Sequence, residues 1–146
     1  MASGRFKETS AKIAKFLQRF DGFHKKALVG KLEIYFTSSN AFRAKAIYRS
    51  TTDKIMIKES NAREVDTEAY GYLLYILVHE LGHRFEFKSK VPSSFRDEDF
   101  YTTKYSQTDS MFGSECFAEI FAISFFGESK YPQFAEKIRA FENLMK

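Results

Sequence analysis

The chain has 146 residues, enough for one domain with a real core, and its 44% hydrophobic and 29% charged residues are ordinary for a globular protein. A net charge of +4 would suit an acidic partner, but no basic run is longer than Lys25-Lys26, which argues against nucleic acid. The single cysteine, Cys116, excludes an internal disulfide, and the longest apolar run, Ala69 to Val78, is too short to span a bilayer.

With 17 Phe, 8 Tyr and no Trp, the core should be built from large flat side chains. The first ten residues are polar and offer no apolar stretch for a signal peptide, so a cytoplasmic protein is expected. Ser10 opens an amphipathic helix with Ile13, Phe16, Leu17 and Phe20 on one face, ending near Asp21-Gly22. Leu32, Ile34 and Phe36 alternate with Glu33 and Tyr35 at strand spacing. Strand-like runs follow at Phe42 to Arg49 and Lys54 to Lys58, with Ser50-Thr51-Thr52-Asp53 as a hairpin turn between them.

Asp66 or Thr67 then caps a long helix running to about Phe87. Tyr70, Leu73, Leu74, Leu77, Val78 and Leu81 make it apolar over much of its circumference, so it should be central and buried. Residues 88–113 form a long polar connection carrying Asp97-Glu98-Asp99; a loop of that length between two such helices should border a functional site. A second buried helix is predicted from about Ser114 to Phe126. A last amphipathic one starts near Pro132 and packs through Phe134, Ile138 and Phe141. No repeat or linker divides the chain, so residues 1–146 read as one α+β domain with a small mixed sheet of about three or four strands, and a monomer is expected.

The chemistry lies in His79-Glu80-Leu81-Gly82-His83, which holds two of the three histidines. On a helix, residues i and i+4 lie on one face, so both imidazoles can reach one zinc ion. Glu80 is about 100° around the helix from His79, beside the metal without ligating it, where it can act as a base toward water. Two histidines and a glutamate in the most apolar helix would be costly unless something satisfied them. The lone His24 reads as a surface or internally satisfied residue. Cys116 reads as a small buried hydrophobe.

A catalytic zinc site of this kind takes three protein ligands and keeps a position for water. Glu115 and Glu119 lie at i and i+4 on the second apolar helix, in a stripe with Ala118 and Ala122 whose small size allows close helix approach. One carboxylate would ligate the metal and the other orient a ligating histidine. Asp109 is a further candidate ligand.

These residues resemble the zincin metallopeptidases with a glutamate third ligand, the gluzincins. The strands, the His-Glu-Leu-Gly-His helix and the Glu-x-x-Ala-Glu-x-Phe-Ala helix are similar to the catalytic domain of the anthrax lethal factor family. Tyr105-Ser106-Gln107-Thr108 is similar to a tyrosine stretch of that family. The resemblance implies a zincin-like fold with a buried His-Glu-x-x-His helix followed by a glutamate-bearing helix. It implies zinc on His79, His83 and Glu115, with Glu119 behind a ligating histidine. Glu80 would be general base and Tyr105 (or Tyr101) would stabilise the transition state.

ImmA/IrrE-type peptidases share the first motif but carry Asn where this chain has Glu119. The aspartate-ligand zincins are echoed at Asp109 to Gly113. The function implied is zinc-dependent hydrolysis of a protein or peptide paired to the sheet edge nearest the motif helix. The alternative is a non-proteolytic, virion-structural or regulatory protein that keeps the fold and the metal. The small size is similar to that of phage-encoded zincins, so a virion-associated location is the alternative to the cytoplasm.

Overall fold

The structure, a computed structural model, describes residues 7–38, 45–59, 70–89, 91–102 and 114–146. It is a small α+β domain: helix α1 (Lys7–Leu17), strands β1 (Glu33–Thr37), β2 (Ala46–Arg49) and β3 (Lys54–Lys58), then helices α2 (Tyr70–Lys88), α3 (Ser114–Phe126) and α4 (Ala135–Met145). Helix α1 buries Ile13 and Phe16 as its periodicity predicts, but it stops at Leu17. Phe20 still reaches the core, because two tight-turn bonds, Arg19 N–H to the Phe16 carbonyl and Phe20 N–H to the Leu17 carbonyl, curl the chain inward. A 3₁₀ helix over Gly22–Leu28, which the hydrophobic pattern does not announce, carries the chain on to the sheet.

The sheet is mixed, in the order β1-β3-β2, with β1 parallel and β2 antiparallel to the central strand. Ile55 and Ile57 of β3 are fully buried, and the register lines up Ile34, Ile55 and Tyr48, then Phe36, Ile57 and Ala46, on the face turned to the helices. The turn falls at residues 50–53 as predicted, and Asp53 closes it in the left-handed region, at φ 55°. The run expected from Phe42 is described only from Lys45, and its strand starts at Ala46. The proposed caps Asp66 and Thr67 lie outside the described residues.

Helices α2 and α3 pack directly on each other. A Cβ at Gly82 would come within 3.0 Å of the Ala118 Cα and 3.1 Å of the Phe121 Cβ, so glycine is what lets the two backbones approach. Around that contact, Phe85, Phe117, Phe121 and Phe141 form a nearly continuous aromatic core, with Phe85 stacked on Phe117 at 5.8 Å. The first half of the long connection joins it. Phe95 stacks on Phe100 at 4.9 Å, Phe100 is buried, and the 3₁₀ helix Asp97–Phe100 leaves Glu98 and Asp99 in solvent. Among the described residues no helix is long and apolar enough to cross a membrane.

His24 is internally satisfied. It is buried against Phe23, Phe121 and Phe125, and its Nε2 lies 2.8 Å from the Ser124 hydroxyl, which itself donates to the Phe121 carbonyl. Burial lowers its pKa from 6.5 to about 4. The unfolded chain therefore takes up a proton in this window while the folded one does not, and the His24 contribution to stability, full above pH 6.5, is lost as pH falls toward 4. The loss is about 3 kcal/mol. Glu86, raised to about 7 chiefly by burial, works in the opposite sense over an overlapping range. The His24 component is thus read as a difference: urea midpoints at pH 7 and pH 4.5 should diverge more in the wild type, in the destabilising direction on acidification, than in His24→Gln. Equal pH dependence in the two proteins would refute this assignment.

Candidate metal centre

The motif helix and the glutamate helix face each other so that His79, His83 and Glu115 each offer one ligand atom, all within 4.8 Å of one another. The His83 Nε2 lies 2.7 Å from one Glu115 oxygen and the His79 Nε2 3.4 Å from the other. Atoms around a tetrahedral zinc are about 3.3 Å apart, given bonds of about 2.0 Å, so small side-chain adjustments suffice to admit an ion. His79 is buried, while His83 and Glu115 are partly accessible. These three residues can hold a metal ion.

Glu119 is buried one turn further along the helix, and its Oε2 lies 2.9 Å from the His79 Nδ1. A carboxylate accepts only, so Nδ1 carries the hydrogen and Nε2 becomes the metal-facing atom. The same Glu119 oxygen accepts the Tyr75 hydroxyl at 2.7 Å. Tyr75 lies four residues before His79 on the helix, so the series Tyr75, His79, His83 follows one face. That spacing was the available signal for a residue the sequence reading missed.

Glu80 is buried beside the cluster but outside the ligand set. Its Oε1 accepts the Tyr48 backbone N–H at 2.9 Å, and its Oε2 lies 3.9 Å from the His79 Nε2. Burial raises its pKa against the pull of His79, His83 and the Tyr48 N–H, with Glu115 adding to the rise. Burial lowers that of His79, but hydrogen bonds to Glu115 and Glu119, with the charge of Glu80, outweigh it and bring it up to about 10. Three carboxylates thus converge on two imidazoles. Such a cluster favours positive charge, and a divalent cation and a proton compete for it.

Of the other candidates, Tyr105 and Asp109 lie outside the described residues. Tyr101 packs against the core, and its carbonyl accepts the Lys137 ammonium. Cys116 is buried beside Glu115, its thiol directed at the Asp97 carbonyl at 3.3 Å, and burial first of all pushes its pKa up to about 12. It is an inert core thiol. The Asp97 contact also brings the described half of the connection against the start of the glutamate helix. No family profile, curated sequence or solved structure matches this chain.

A second polar group went unread in the sequence. Arg84, next to His83, is fully buried. Its Nε and Nη2 donate to the two oxygens of Asp53 at 2.9 and 3.1 Å, and its Nη1 to the Ala27 carbonyl at 2.5 Å. Asp53 also accepts the Tyr48 hydroxyl at 2.8 Å and the Lys88 ammonium at 3.0 Å. The Arg84 guanidinium foremost, with Lys88 and Tyr48, holds the Asp53 carboxyl well below the usual carboxylate range. A buried cation in an apolar helix was the signal, but its partner 31 residues earlier is set only by the fold.

Proposed function

We propose that this protein is a zinc-dependent metalloendopeptidase of the gluzincin type, with a zincin-like fold. The reading rests on one observation above all. Two histidines one helical turn apart and a glutamate from a second helix converge at ligand distance, with a buried carboxylate, Glu80, beside them and outside the set. A purely structural zinc site closes with four protein ligands and has no use for such a base.

His79, His83 and Glu115 would hold the ion, with Glu119 fixing the His79 ring. Zinc bound there supplies a Lewis acid that polarises a carbonyl and lowers the pKa of water toward about 7. Glu80 takes the proton of the attacking water and delivers it to the leaving amine. The peptide lies along β2, the sheet edge packed against the motif helix. The Lys58 N–H bonds to the Lys45 carbonyl, so the alternation of an antiparallel pair turns the backbone groups of Ala46 and Tyr48 outward; Glu80 takes the Tyr48 N–H, and the Ala46 groups and the Tyr48 carbonyl face the open edge where the peptide would pair. Tyr105 is carried as the candidate donor to the developing oxyanion.

The test is metal content together with hydrolysis of a mixed peptide library. About one zinc per chain, and cleavage that a chelator stops and added zinc restores, are expected. Bound zinc with no peptide cleaved would overturn the peptidase reading in favour of a binding or regulatory protein. No zinc at all would overturn both.

A further inference from the structure

We infer that Asp53 and Arg84 are positioning residues for Glu80, acting through Tyr48; this rests on the assignment of Glu80 as base. Glu80 and Arg84 are four residues apart on the motif helix, so both face the sheet from the same side. Both reach one residue of the edge strand. Glu80 accepts the Tyr48 backbone N–H, while Arg84 grips Asp53, which accepts the Tyr48 hydroxyl. The strand is therefore tied to the helix at two points one turn apart.

The geometry gives these ties a direction. With Oε1 held by the Tyr48 N–H, the other Glu80 oxygen is the one turned toward the metal-facing nitrogen of His79. A carboxylate without that tie could rotate about its last bond and lose the orientation. The tie needs β2 at a fixed height along the motif helix, and the turn at 50–53 sets that height. Asp53 ends the turn at φ 55°, a conformation rare for a non-glycine residue. Its carboxylate is filled by four donors, from Arg84 (twice), Tyr48 and Lys88. Arg84 also binds the Ala27 carbonyl, so the 3₁₀ helix braces the guanidinium from behind.

The experiment compares the wild type with Asp53→Asn and Tyr48→Phe, using the full chain with and without zinc. Asparagine tolerates the left-handed backbone, and phenylalanine removes only the hydroxyl tie. The direct readout is the residue-48 amide, by its proton shift and hydrogen-exchange rate. Loss of a hydrogen bond to a charged group should speed its exchange by about tenfold or more, more in Asp53→Asn than in Tyr48→Phe. Zinc affinity should stay within about twofold, because no ligand or ligand-orienting group is touched. Turnover should fall through kcat with KM little changed, as for an interaction made in the transition state.

An unchanged residue-48 amide in both variants would overturn the inference. So would zinc affinity, thermal stability and kcat falling in proportion, which would mark the clamp as fold support alone. The amide readout needs no substrate. If the wild type cleaves nothing while Asp53→Asn still frees the amide, the mechanical coupling stands and the peptidase reading is what fails.

Discussion

Replacing Glu80 by glutamine is expected to leave zinc bound and to slow peptide hydrolysis by about 10²–10⁴-fold, the usual cost of a lost general base. The proposed ligand set is His79, His83 and Glu115, and the nearer Glu80 oxygen lies 3.9 Å from the His79 Nε2, outside that set, so the metal would lose no bond. Glutamine keeps the side-chain length and still offers an oxygen to the Tyr48 N–H, so the β2 contact also survives. What it lacks is an ionisable oxygen to take a proton from water. Metal content measured alongside kcat on one peptide decides the matter. Full activity in the variant would sink the mechanism, and loss of zinc would show that Glu80 ligates the metal.

The parts of this reading that were legible in the sequence are those written in local periodicity. The i, i+4 spacing of His79 and His83 fixes a shared helical face wherever the helix lies, and the apolar run before it marks the helix as buried. Ser114–Phe126 was legible for the same reason, bounded by polar chain on one side and Gly127 on the other. The stripe of Ala118 and Ala122 foretold close helix approach, although Phe121 crowds Gly82 as well, its Cβ 3.1 Å from where a Cβ at Gly82 would lie.

The illegible parts are non-local. Nothing in residues 46–53 says that Tyr48 will face Glu80 or that Asp53 will meet Arg84, because those pairings depend on how the hairpin docks on the helix. The 3₁₀ segment Gly22–Leu28 was missed because a short tight helix leaves no hydrophobic period; the glycine at position 22, which takes a φ of 51°, is the one local sign of the change of direction. Tyr75 shares a helical face with His79 and His83, but its hydroxyl partner Glu119 is 44 residues away and is set only by the fold.

Substituting Glu115 by alanine is expected to abolish most zinc binding, while Glu119→Ala lowers affinity or activity by only about 10–100-fold. The two glutamates share one helical face, so the sequence leaves either free to be the ligand. The geometry separates them. Glu115 reaches the Nε2 atoms of both histidines, at 3.4 and 2.7 Å, whereas Glu119 reaches only the outer nitrogen of His79 and is itself held by Tyr75. Removing Glu115 leaves two imidazoles and a shell of water. Removing Glu119 leaves all three ligands but frees the His79 ring to turn and weakens its basicity. Zinc titrations of both variants by a competing chelator, with circular dichroism as a check on folding, give the comparison. If Glu115→Ala keeps its zinc while Asp109→Ala loses it, the third ligand is the aspartate and the gluzincin assignment is wrong. If Glu119→Ala loses zinc more completely than Glu115→Ala, the two glutamates exchange roles and His79 must bind through its other nitrogen.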